Sequence, residues 1–202
     1  GLLEAILPVH EEDLQKTLQE LIEREFIVAT PDHPQGEFAF RHLLISEAVY
    51  NTLLKKERSR LHTLVGTAIE SHYSGRLNEV IELLARHFSW GNQPEKALHY
   101  LILAAQKAMT GSLYEQAQKH YEHALTLLPG VESAHQQALQ VHLGLGDLYQ
   151  IRGEVKAARA QYLAALDRLS QMASPEVQEI RNNLLRKLRE LTASDPALQE
   201  RV

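Results

Sequence analysis

The chain has 202 residues, 44% of them hydrophobic and 23% charged, with a formal net charge of −5. It holds no cysteine, which excludes a disulfide scaffold and a cysteine-rich zinc site. Mild acidity argues against general binding to nucleic acid or to an anionic membrane, and no uninterrupted apolar run is long enough for a transmembrane helix. No secretory leader is read, and a cytoplasmic location is expected. The opening run Leu2-Leu3-Glu4-Ala5-Ile6-Leu7 reads as the interior of a domain, so the chain is expected to be a piece of a longer protein.

Residues 11–25 read as a helix, with Leu14, Leu18, Leu21 and Ile22 on one stripe. Phe26 to Thr30 reads as a strand, Pro31 to Gly36 as a turn by composition, and Glu37 to Arg41 as a second strand with alternating aromatics. A helix then starts near His42 and carries Leu44, Ile45, Ala48, Val49 and Leu53. Helix, hairpin, helix is the order found at the end of a winged-helix fold. A further helix from about Glu57 to Tyr73 carries Leu61, Leu64, Val65, Ala68 and Ile69. From Leu77 onward only helices are read. They break at 91–94, 110–112, Pro129-Gly130, Arg152-Gly153 and 173–175, and the last helix, about 175–192, caps the open end.

Two of these stretches share one frame. Ala105, Ala108, Ala117, Tyr121, Ala124 and Pro129 fall on it, and Gly146, Tyr149, Ala158, Tyr162 and Ala165 follow 41 residues later. The small–large spacing resembles the tetratricopeptide repeat, a helix-turn-helix unit of about 34 residues. The helix at 77–90 fits more loosely, pairing Ala85 and Phe88 with Ala97, Leu101 and Ala104. Such units bury their apolar faces by stacking, and the stack leaves a concave surface that binds other protein segments. In that frame the groove-facing positions are His99, Ile102, Gln106 and Met109 in one repeat, and Gln140, Leu143, Asp147 and Gln150 in the next. These residues lack the Lys and Asn with which chaperone-binding members clamp a C-terminal carboxylate. A mixed apolar and amide groove suits a helix or an extended peptide, while Ile102 and Leu143 equally fit simple packing on adjacent helices.

The run from Phe38 to Tyr50, FAFRHLLISEAVY, resembles a stretch of large signal-transduction ATPases in which a nucleotide-binding domain precedes a winged helix and helical repeats. Arg58-Ser59-Arg60-Leu61-His62, Glu70, 84–88 (LARHF) and 96–101 (KALHYL) match the same pattern. The relatives in view are the STAND-type ATPase-and-repeat regions found beside bacterial nucleotide cyclases, kinases and large transcriptional activators. The resemblance implies an all-α fold: a winged-helix-like segment over 1–56, a connector helix over 57–76, a repeat stack with its capping helix over 77–192, and a frayed tail over 193–202. It also implies a non-catalytic regulatory module whose partners are a protein or peptide in the concave face and the parent's upstream nucleotide-binding domain. A free-standing repeat adaptor and a DNA-binding regulator stand as alternatives.

No G-x-x-x-x-G-K-[ST] phosphate loop occurs, so any ADP or ATP is expected in the parent's upstream domain and no cofactor in this chain. In the wider family a winged-helix His within a Met-His-Asp motif contacts the β-phosphate of bound ADP. His42 holds that place here, with Arg41 for the Met and Leu43 for the Asp. The plainer alternative is that His42 bonds a carbonyl at the hairpin exit. DNA binding is disfavoured because the helix before the hairpin holds Glu11, Glu12, Asp13, Glu20, Glu23 and Glu25 against Lys16 and Arg24, and would repel phosphates. The basic run Lys55, Lys56, Arg58 and Arg60 reads as a solvated face. Eleven histidines raise the question of metal, but His120 with His123 and His135 with His142 bring no third and fourth ligand, so no metal site is expected. No nucleophile–base constellation or strained Gly-x-Ser-x-Gly turn is visible, and no catalysis is expected.

Overall fold

The computed structural model describes residues 2–7, 9–30, 37–132, 134–170, 172 and 175–194. The described residues are helical apart from one small hairpin, and none of the helices is long and apolar enough to cross a membrane. The chain divides into two compact units, residues 1–93 and 94–202. The turn expected over 31–36, the residues 173–174 of the last break, and the tail over 195–202 lie outside the described residues.

The first unit opens with α1 (Leu2–Ile6) and α2 (Glu11–Glu23). Three acidic residues in the first turn of α2 face the positive end of its dipole, which favours the helix start. The helix stops at Glu25, whose φ of 60° is left-handed, and the amide of Phe26 returns to the Leu21 carbonyl at 2.9 Å. That reversal leads into β1 (Ile27–Thr30), which pairs antiparallel with β2 (Glu37–Phe40) in the register Ile27 to Phe40. The amide of Arg41 extends the ladder to the Phe26 carbonyl at 2.9 Å. Next come α3 (Leu43–Thr52), α4 (Lys55–His72), a single 3₁₀ turn at Leu77–Glu79, and α5 (Ile81–Trp90). The best-buried part of this unit is the α4–α5 contact. A Cβ on Gly66 would come within 3.1 Å of the Phe88 ring, so the missing side chain admits that ring. The Thr63 hydroxyl accepts from the Asn92 amide at 2.9 Å and fastens α4 to the turn after α5. By contrast, α3 buries none of its residues, although its sequence carries an apolar stripe.

The second unit holds α6 (Pro94–Thr110), α7 (Tyr114–Leu127), α8 (His135–Ile151), α9 (Val155–Ser170) and α10 (Pro175–Ser194). A 3₁₀ turn at Leu128–Gly130 follows α7 directly. The helices form two hairpins, α6 with α7 and α8 with α9. Both turn in the same way. The Ser112 amide bonds the Met109 carbonyl and the Leu113 amide the Ala108 carbonyl, at 3.0 and 2.8 Å. The Gly153 amide bonds the Gln150 carbonyl and the Glu154 amide the Tyr149 carbonyl, at 3.1 and 2.8 Å. The residues at the turn, Ser112 and Gly153, are left-handed with φ of 58° and 73°. Ala117 and Ala158 then make equivalent first bonds of the following helices, to Leu113 and Glu154. Inside the hairpins, Ala105, Ala117, Ala124, Ala158, Tyr162 and Ala165 are fully buried.

The two turns differ in one residue that matters energetically. Glycine enters the left-handed region without cost, whereas a Cβ there is crowded by about 1–2 kcal/mol. Ser112→Gly is therefore expected to stabilise the second unit by about 0.5–1 kcal/mol, after the glycine's extra unfolded-state entropy is subtracted. A higher urea midpoint checks this, and an unchanged or lower midpoint refutes it.

Candidate functional site

Two faces of the second unit, one on α6 and one on α8, enclose a cavity of about 220 Å³. His99, Ile102, Leu103 and Gln106 line it from α6, at the three- and four-residue spacing that keeps side chains on one helix face. Gln136, Gln137 and Gln140 line it from α8. Ile102 is buried and Leu103 half-buried, and together they make an apolar floor. Around it stand four primary amides, each with two donors and one acceptor and no charge. Among the described residues, none of these four amides is paired within the chain. Elsewhere Gln15, Gln19, Gln118 and Gln161 hydrogen-bond other side chains.

The groove positions read from the repeat frame separate into two sets. His99, Ile102, Gln106 and Gln140 line the cavity. Met109 packs against Ala108, Ala117 and Leu148, and Leu143 against the cluster holding Leu139, Tyr162 and Leu169. Asp147 and Gln150 are occupied by a polar network. The Tyr162 hydroxyl, with one proton between two acceptors, lies 2.5 Å from Asp147 Oδ1 and 2.7 Å from Gln150 Oε1. Lys187 of α10 pairs with the same carboxylate, and its ammonium lies 5.3 Å from the centre of the Tyr162 ring. Burial first, and then the Asp147 bond and charge, push the Tyr162 phenol well above its ordinary range. Burial pushes Tyr121 up to about 12, with the Asp147 charge adding to it. Both phenols stay neutral at physiological pH, and the network ties α8, α9 and α10 together.

In the first unit, His42 is exposed at the N-cap of α3 and makes no side-chain capping bond. Arg41 is held by Glu25 at 3.2 Å. Another cluster escaped the sequence reading. The Tyr50 hydroxyl lies 3.1 Å from His62 Nε2, and His62 Nδ1 lies 3.1 Å from His87 Nδ1. Trp90 stands edge-on to His62 with ring centres 4.9 Å apart, and the Arg58 guanidinium lies over Tyr50 at 4.8 Å. These residues come from α3, α4 and α5, so no local spacing announces them. His62 lies in the middle of α4, and His87 and Trp90 lie in the last turn of α5. Among the described residues, no group of three or more His, Asp or Glu lies where it could hold a metal ion.

No described protein family matches the chain, and no solved structure does. The chain is similar to an uncharacterized protein of Rhizobium meliloti (strain 1021), 30% identical over 127 residues. The match covers 62% of this chain but only 12% of that relative's length.

Proposed function

We propose that this chain is a non-catalytic regulatory and protein–protein interaction module of a larger signalling ATPase. In this reading the second unit is a tetratricopeptide-type stack, and its α6–α8 groove holds a segment of a partner protein. The observation that carries the reading is the recurrence, 41 residues apart, of the same turn hydrogen bonds with the same small residues buried behind them. Repeats of this kind stack because no single pair can bury its own apolar face. A relative whose length is mostly outside the match supports a multidomain parent.

The first unit fits the role of a joint to a neighbouring domain. Leu43 and Leu44 on α3 are 72% and 76% exposed, and Leu3 and Leu7 of the α1 segment are exposed as well. Apolar surface of that kind marks an interaction site. The acidic first turn of α2 argues against duplex DNA as the partner. Any ADP or ATP would be held by the parent's upstream domain. In this reading His42, whose exposed imidazole makes no capping bond at the start of α3, would be the residue to meet a phosphate there, with Arg41 held beside it by Glu25.

Linear peptides selected on the immobilised chain from a random display library are expected to bind in the α6–α8 groove. Gln106→Ala combined with Gln140→Ala should then weaken them about tenfold, as the loss of two hydrogen bonds of roughly 0.5–1.5 kcal/mol each. Peptides indifferent to the pair, or no selected peptide, would remove the groove from the reading. The ATPase arm is tested on the full-length parent. ADP that co-purifies and is lost on His42→Ala supports it, and a parent without bound nucleotide leaves a free-standing repeat adaptor.

A further inference from the structure

A second depression, sharing no residue with the α6–α8 groove, lies between α9 and α10. It is shallow and open to solvent, with a volume of about 400 Å³. Arg159 and Leu163 line it from α9, four residues apart, and Leu185, Leu188, Arg189 and Thr192 line it from α10. Its floor is leucine, and Leu163 and Leu185 remain 43% and 38% exposed. A guanidinium stands on each helix beside that floor. Neither Arg159 nor Arg189 has a carboxylate partner among the described residues, in a chain whose net charge is −5. Arg41, Arg60, Arg76, Arg152 and Arg186 are each paired with a glutamate, while, among the described residues, Arg24, Arg86, Arg168 and Arg181 are not, so what sets Arg159 and Arg189 apart is the exposed leucine floor between them. Two unpaired guanidiniums flanking exposed leucines in an acidic protein call for an occupant that is both apolar and anionic.

We infer that the α9–α10 slot is a docking surface for an acidic amphipathic helix of another protein. The furrow between two packed helices accepts the apolar ridge of a third. Carboxylates on either side of that ridge would meet Arg159 and Arg189, whose planar forks bind carboxylates in bidentate fashion. A small anion has no use for the leucine floor. A single nucleic-acid strand would meet leucines where it needs cations and stacking aromatics. A second copy of this chain offers α2 as its acidic helix, but Leu14 there is buried in its own unit and Leu18, Leu21 and Ile22 are half-buried. The outward face of α2 therefore brings carboxylates without an apolar ridge, and a foreign helix is the better complement.

The test is fluorescence anisotropy with a labelled, helix-forming peptide of about 16 residues built from Leu, Ala and Glu. Leucines run along one face and glutamates flank them, and a twin peptide carries Gln at every Glu position. The acidic peptide is expected to bind the full chain, more weakly as salt rises. The Gln twin, and the Arg159→Glu/Arg189→Glu variant, should each bind about tenfold more weakly or worse. Leu163→Gln should weaken binding without changing its salt dependence. Circular dichroism confirms that these substitutions leave the fold intact. Equal binding of the two peptides overturns the inference, as does indifference to the double charge reversal. Concentration-dependent self-association that the charge reversal abolishes, with no peptide competition, also overturns it and assigns the slot to a second copy.

Discussion

Gly146→Ala is expected to destabilise the second unit by about 1–3 kcal/mol. In an exposed helix the same change gains roughly 1 kcal/mol, because alanine is the better helix former. The sign reverses here because the space is taken. A Cβ on Gly146 would overlap the ring of Tyr162, and one on Gly144 would overlap the ring of Tyr121. Those rings are 0% and 3% exposed and cannot swing into solvent. Tyr162 is also anchored through its hydroxyl to Asp147 and Gln150, so it cannot retreat without breaking that network. Helix α8 thus lies against aromatic rings of α7 and α9, and its two glycines let both approach. Gly144→Ala should cost a similar amount. Gly130→Ala, with nothing within 4 Å of the added Cβ, should stay within about 0.5 kcal/mol. Urea unfolding at constant m-value reads all three. A raised midpoint for Gly146→Ala would show that the rings yield.

These contacts explain which features were legible in the sequence. Small residues opposite large ones at a fixed spacing are a local record of helix approach, and Ala117, Ala158 and Tyr162 are buried where that spacing puts them. The hairpin was legible for the same reason, since alternation of apolar residues over four positions is a strand's own signature. Polar partnerships were not. Asp147 read as a groove residue because its helical position faces that way, yet its carboxylate is bonded by Tyr162 and Lys187, the latter 40 residues away. Nothing within one helix turn signals such a bond. Of the eight groove positions, His99, Ile102, Gln106 and Gln140 line one cavity, Met109 packs on α7 and α8, Leu143 joins the α9–α10 cluster, and Asp147 and Gln150 are held by Tyr162. The apolar stripe of α3 carried the opposite lesson. Its period put Leu44 and Val49 on one apolar face, yet both are exposed. Periodicity reports that a face is apolar, and it does not say which molecule covers it.

Acid is expected to weaken the first unit through His62 and His87, before its carboxylates are fully protonated. The two Nδ1 atoms face each other at 3.1 Å, which leaves room for one proton between them. A second proton in that gap would set two N–H donors against each other, and charging both rings would oppose two cations, beside Arg86 on α5 and with Arg58 over the neighbouring Tyr50. Burial, then the charge of His62 and that of Arg86, bring His87 down to about 4. Burial and Arg86 lower His62 as well. A histidine whose folded pKa is depressed binds its proton more readily when unfolded. Its contribution is therefore fully present above pH 6.5, falls as pH drops from there toward about 4, and is lost below. The half-exposed setting of His87 is screened by solvent, so about 1–2 kcal/mol is expected from it. Trp90 is the only tryptophan in the chain and stands edge-on to His62, so its fluorescence reports the event directly. Quenching by the imidazolium should develop below pH 6.5, with stability measured in urea falling over the same window. In His87→Leu the slope of stability against pH should flatten between those limits, whatever the variant's absolute stability. An unaltered slope in that variant would assign the acid sensitivity to the carboxylates of α2 instead.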